Sequence, residues 1–221
     1  MKKIRNNGQT SAFWKAALLT IIIFLAGVSL GYYIEKGRIE KIEKEFIETD
    51  IEWADAKLQS LYYQVMKHDE CEAAIEENIF FADRIYEQGI KLQKYEDANQ
   101  LSEKMLTEKK KYALLKTEFW INSIILKEKC NAEYKNIVYF FKNEPSMTEE
   151  EEQRVQSVVL KNVKDKYGRD VMLIPLPFDL EISTIEIMKK TYEISKAPSI
   201  LIDEKIRLEG IQDMEEIEKF L

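Results

Sequence analysis

The stretch Ala16–Ile34, AALLTIIIFLAGVSLGYYI, runs for 19 residues without a charged side chain. As a helix it covers about 28 Å, the thickness of a bilayer's hydrocarbon core. Trp14 stands at one end, Tyr32 and Tyr33 at the other, where amphipathic aromatics favour the membrane interfaces. The stretch predicts a transmembrane helix. Lys2, Lys3, Arg5 and Lys15 precede it with no acidic residue among them. A short basic tail of that kind stays in the cytoplasm, so residues 1–15 read as cytoplasmic and the rest as an extracytoplasmic body of a single-pass protein of the cell membrane. Lys36, Arg38, Lys41 and Lys44 follow the span, interleaved with Glu35, Glu40, Glu43 and Glu45, and weaken this contrast. The rival is a signal peptide with its apolar core at Ala16–Val28, cut after Ser29-Leu30-Gly31. The apolar run continues past that point, which favours an uncleaved anchor. Gly27 and Gly31 form a small-xxx-small pair through which two copies could pack as a homodimer, although glycine is common in spanning helices anyway.

Prolines divide the remainder. All four, Pro145, Pro175, Pro177 and Pro198, lie beyond the first 144 of the 221 residues. Helix interiors exclude proline and turns or strand edges accept it, so a helical part precedes a mixed part beginning near Asn136. In the helical part, residues 35–135, Ile47, Ile51, Ala54, Leu58, Leu61 and Val65 recur at alternating spacings of four and three and predict one apolar stripe. Cys71, Ile75, Ile79, Ala82, Ile85, Gly89 and Leu92 make a second. Leu101, Met105, Tyr112, Leu115, Phe119, Leu126 and Cys130 make a third. The polar break Tyr95–Gln100 separates these two and reads as the turn of an antiparallel hairpin against the first helix, a small bundle or coiled-coil stalk.

Cys71 and Cys130 are the only cysteines and lie equidistant from that break, hence opposite one another in such a hairpin. A disulfide is expected if the body is extracytoplasmic, and two buried thiols otherwise. With His68 the only histidine, the Cys/His inventory excludes a zinc site, and no metal or cofactor is expected. His68, between Lys67 and Asp69, reads as a solvated junction. The net charge of −7 argues against nucleic acid as a partner.

The mixed part predicts strands at Asn136–Phe141, Val171–Leu176, Ser199–Ile202 and Lys205–Leu208. Capping boxes at Thr148/Glu151 and Ser183/Glu186 open two helices, and Asp213 caps a third that runs to Leu221. Val155, Val158, Val159 and Val163 form the buried face of the first. The order is β-α-β-α-β-β-α. The acidic run Glu149–Glu152 suits a helix N-terminus.

That order, with Lys196-Ala197-Pro198 leading into SILID and Gly210 following the fourth strand, resembles the thioredoxin fold over Asn136–Leu221. The resemblance implies a cis-proline at Pro198, a peptide groove formed by Ala197, Pro198 and Ser199, and an edge position for the second strand, which suits Pro175 and Pro177. The whole layout is similar to membrane-anchored thioredoxin-like proteins of archaea. The fold class is thus α+β in several parts: transmembrane helix 16–34, helical stalk 35–135 and thioredoxin-like α/β domain 136–221. Redox members carry Cys-x-x-Cys before the first helix, and here Lys142–Met147 reads KNEPSM. Dithiol exchange there is excluded, because no attacking thiolate exists. The functions left are a non-catalytic domain for protein binding or assembly, an oxidoreductase-associated role for Cys71 and Cys130, and a coiled-coil tether or dimeriser.

Overall fold

The structure is a computed structural model that describes residues 7–97 and 102–221. It is a mixed α+β protein, mostly helical, with one four-stranded mixed sheet. Three long helices come first: α1 (Asn7–Val65), α2 (Cys71–Asp97) and α3 (Ser102–Cys130). Then follow β1 (Lys135–Phe141), α4 (Met147–Tyr167), β2 (Val171–Pro177), α5 (Ser183–Thr191), β3 (Ser199–Ile202), β4 (Ile206–Glu209) and α6 (Met214–Glu218). The expected order β-α-β-α-β-β-α is therefore present. Of the turn expected at Tyr95–Gln100, Tyr95 to Asp97 instead end α2, and residues 98–100 lie outside the described residues, as do the stripe residue Leu101 and the tail residues Lys2, Lys3 and Arg5.

The chain divides into two compact units, Met1–Glu48 and Thr49–Leu221. The first holds the apolar run, on the one helix among the described residues that is long and apolar enough to cross a membrane. Its large side chains from Phe13 to Ile34 are all exposed. The helix passes through Ser29–Gly31 without a break.

The second unit joins the sheet and the long helices in one core. The sheet order is β2-β1-β3-β4, with β1 parallel to β2 and antiparallel to β3, and β3 antiparallel to β4. β2 is an edge strand, where Pro175 and Pro177 cost least because the outward ladder positions need no donor. One face presents Ile137, Tyr139, Val171, Ile200 and Ile202 to Leu160 and Val163 of α4 and Ile217 of α6. The other presents Val138, Phe140, Met172, Ile174, Leu176 and Leu201 to Ile185 of α5 and to Phe81, Leu115, Phe119 and Trp120 of α2 and α3. Burial on both faces explains why β1 is apolar at five successive positions rather than alternating.

Helix α3 is enclosed on several sides. Its Asn122 Nδ2 donates to Ala56 O of α1 at 3.2 Å, and Asn78 of α2 donates to Ser123 Oγ at 3.1 Å. Cys71, at the start of α2, is joined to Cys130, at the end of α3, with a Cα separation of 5.5 Å. The pairing expected from equidistance is present.

Several expectations are corrected. The first stripe faces outward: Ile47, Ile51, Leu58, Leu61 and Val65 are all more than half exposed. Helix α1 instead buries Thr49, Ala56, Ser60 and Tyr63. These are mostly small or hydrogen-bonded groups, and Thr49 Oγ1 donates to Gln88 Oε1 at 3.1 Å. Helix α4 begins two residues early, with Ser146 rather than Thr148 as its cap, and buries Gln156 while Val155 and Val158 stay exposed. Gln156 is buried because its amide holds Gln212 at both ends, accepting from its N–H at 2.6 Å and donating to its carbonyl at 3.2 Å. The Ser183/Glu186 box does not form. Ile182 is the cap, and Glu186 pairs with Lys189 at 2.6 Å instead. Asp213 does cap α6, which ends at Glu218.

Candidate functional site

The C-terminal end of β1 leads directly into the start of α4, where the resembled family carries its cysteines. Here Ser146 caps the helix, and its backbone N–H donates to Glu149 Oε2 at 2.8 Å. Lys142 Nζ lies 2.6 Å from the other Glu149 oxygen. The hydrogen bond from Lys142, then that from the Ser146 backbone, hold the Glu149 carboxyl well below its usual range, at about 2. Asp179 accepts from the N–H groups of Asn143 and Glu144 at 2.7 and 3.1 Å, which fixes the loop before the cap. This end is thus a tied, charged corner without a cysteine.

Of the predicted groove, Pro198 and Ser199 are buried and Ala197 is half-buried. The Ala197–Pro198 peptide is cis. Ser199 Oγ donates to Lys196 O at 2.7 Å, and Pro198 O accepts from Gly210 N–H at 2.9 Å. The β1–β3 ladder begins at Ser199, opposite Phe140, so Ala197 stands beyond its end. His68 is exposed on a short 3-10 turn, its Nδ1 3.8 Å from Cys71 Sγ. Among the described residues no group of three or more His, Cys, Asp or Glu is placed to hold a metal ion.

The β3–β4 turn contains two non-glycine residues with positive φ, Asp203 at 54° and Glu204 at 57°. The type I′ geometry prefers glycine or asparagine, and the side chains explain the exception. Glu204 Oε1 accepts from the buried Trp120 indole at 2.7 Å and from Asn136 Nδ2 at 3.0 Å. Asp203 receives Lys127 and, at 3.0 Å, Lys135. Burial works to raise the Asp203 carboxyl pKa, but the bonds from the two lysines outweigh it and hold it below its ordinary value.

The feature that sequence reasoning missed is a pocket of about 550 Å³ between α2, α3 and the start of α4. Lys116 lines it and is only 4% exposed. Its ammonium sits over the rings of Tyr112 at 4.4 Å and Phe141 at 5.7 Å. Among the described residues it has no hydrogen bond or ion pair, and burial alone brings its pKa down to about 7. Lys189 is similarly buried but is satisfied by Phe178 O and Glu186, both at 2.6 Å. Tyr112 is fixed from behind, donating to Ile85 O at 2.9 Å and packing on Gly89, where a Cβ would collide with its hydroxyl. A signal for Lys116 exists in the sequence: its neighbours three and four residues away are Tyr112, Ala113, Phe119 and Trp120, all apolar or aromatic. No protein-family model matches the chain, and no curated protein matches it.

Proposed function

We propose that this is a single-pass membrane protein that presents a redox-inactive thioredoxin-like domain, at the outer face of the membrane, for protein binding or assembly. The carrying observation is the sheet order β2-β1-β3-β4 with α4 entered directly from β1 and no cysteine at that entry. The placement of α4 and α6 on one sheet face and α5 on the other supports the same reading. A disulfide clamping the open ends of α2 and α3 supports an oxidising compartment. Its sulfurs pack with Tyr63, Met66, Ala74 and Leu126, which supports a structural rather than an exchanging bridge. The groove beside Pro198 would take an extended peptide on the backbone of Ala197, which lies beyond the end of the β1–β3 ladder.

The test is photo-crosslinking in native membranes from a photoreactive residue at Lys196, which is exposed. The expected adduct is lost in Ala197→Arg and kept in a control substitution at the exposed Lys161. An adduct unchanged in Ala197→Arg sinks the groove. For orientation, alkylation of unreduced, denatured protein from cells should find no free thiol. Two reactive thiols would sink the outward topology.

A second reading, a parallel coiled-coil dimeriser, is favoured by the outward stripe Ile51, Ala54, Leu58, Leu61 and Val65, whose spacing is that of a heptad seam. A common membrane anchor would hold two copies parallel. Leu58→Glu with Leu61→Glu should convert dimer to monomer in light scattering of the detergent-solubilised chain. A monomeric unaltered chain removes this reading.

A further inference from the structure

We propose that the pocket between α2, α3 and the start of α4 binds a carboxylate carried on an apolar stem, with Lys116 as its cation. Two independent observations meet there. One is the cavity itself, about 550 Å³, large enough for a small organic acid or the last residues of a peptide. The other is a buried amine with no hydrogen-bond or ion-pair partner among the described residues. A buried ammonium either finds compensation or gives up its proton, and inside the protein the Lys116 ammonium meets only the Tyr112 and Phe141 rings.

The other charges fix the ligand's class. Lys109 and Lys142 also line the pocket, against a single acid, Glu150, in a protein whose net charge is −7. Lys142 is paired with Glu149, and Lys109 donates to Asn143 Oδ1 at 2.9 Å. That leaves Lys116 as the spare charge, which suits a monoanion better than a phosphate dianion. A metal ion is repelled. Leu92, Phe141, Pro177 and Leu180 supply apolar wall for the stem. The titratable groups facing Lys116 are Lys109 and Tyr112 of its own helix, Lys142 from the β1–α4 loop and Glu150 of α4. None opposes it closely enough to hold its proton, since burial is the sole cause acting on its pKa. Ligand binding therefore brings a proton with it, completing a Lys116 ammonium–carboxylate pair.

The experiment uses the full chain in nanodiscs and titration calorimetry with butyrate, and with butyramide as the neutral isostere. At about pH 8, butyrate should bind at least tenfold more tightly than butyramide and take up close to one proton, read from two buffers of different ionisation heat. Its affinity should fall about tenfold for each further pH unit. Lys116→Met should abolish the preference. Equal binding of acid and amide, the absence of proton uptake, or an unchanged preference in Lys116→Met each overturns the proposal. Proton uptake is measured on the unaltered chain, so the test stands even if the variant misfolds. A tripeptide Gly-Gly-Val with a free C-terminus, set against its C-terminal amide, separates the sources of the carboxylate. Tighter binding than butyrate assigns a peptide terminus, weaker binding assigns a small acid, and failure of both carboxylates overturns the site.

Discussion

Replacing Lys116 by Met should make the protein more stable at neutral pH, by an amount that shrinks as the pH rises. The unaltered lysine pays for its burial. A pKa brought from 10.5 to about 7 corresponds to on the order of 5 kcal/mol of disfavoured ammonium in the folded state. Met keeps the length and apolar stem of the side chain and removes the amine. It also removes the ring contacts with Tyr112 and Phe141, worth about 1–2 kcal/mol when desolvated. The net gain at pH 7 is about 3 kcal/mol.

The sign follows from the lowered pKa. Between about pH 7 and 10.5 the unfolded chain holds a proton on Lys116 that the folded chain has lost, so stability of the unaltered protein rises with pH across that window. Below about pH 7 both states carry the proton and the cost is complete. The Met variant lacks this dependence, and its advantage should decline by up to about 1.4 kcal/mol per unit above pH 7. Urea unfolding of the detergent-solubilised chain, followed by near-ultraviolet circular dichroism at several pH values, reads both curves. Taking the difference between the two proteins cancels the other titrating groups, including Tyr63 and Tyr139, which burial pushes up to about 12. A variant less stable than the unaltered protein at pH 7, or two curves of equal slope, would refute the reasoning.

Three further outcomes are expected. Joint substitution of Cys71 and Cys130 by Ala should lower stability by about 4 kcal/mol on the loop-entropy model, since the bridge closes a loop of 59 residues; urea midpoints check it. Glu204→Ala should cost about 2–4 kcal/mol, because it leaves the buried Trp120 indole and the Asn136 amide without their acceptor. A red-shifted Trp120 emission should accompany the loss. Gly89→Ala should destabilise by about 1–2 kcal/mol despite the better helix propensity of Ala, because its Cβ displaces Tyr112 from Ile85 O; thermal unfolding reads the change.

Much of the architecture was legible because it rests on local chemistry. The apolar run, the proline boundary, all four strands and the Cys71–Cys130 pair follow from length, breakers and symmetry about a polar break. Errors arose where a local pattern had two partners to choose from. Thr148 and Ser146 both precede a glutamate by three residues, and Lys142 decides for Ser146 by reaching Glu149. Gln156 looks like a solvent residue until Gln212 is brought beside it from 56 positions away. Lys116 is hidden in the sequence by the charged run KKKYALLK, although its own neighbours on the helix are apolar.

The misread face of α1 shows why periodicity alone cannot assign a partner. The heptad stripe from Ile51 to Val65 states that this face is apolar, and it is, but the hairpin binds the opposite side. There the surface is Thr49, Ala56, Ser60 and Tyr63, and the contact is made by hydrogen bonds such as Asn122 to Ala56 O, which call for small groups and close backbone approach. A helix with a polar, small-residue face buried inside its own chain and an apolar face left in water has its two surfaces inverted relative to an isolated amphipathic helix. The inversion is stable only if most of the buried polar groups are satisfied: Thr49 and Tyr63 are, through Gln88 Oε1 at 3.1 Å and Gln59 Oε1 at 3.3 Å, whereas Glu52 Oε2 and Asn122 Oδ1 have no hydrogen-bond partner among the described residues. The internal contact therefore does not require the outer stripe, which stays free to meet a second surface. Substituting Leu58 and Leu61 consequently separates the two roles of α1: loss of association with unfolding unchanged assigns the stripe to assembly, whereas loss of both would show that the hairpin depends on it.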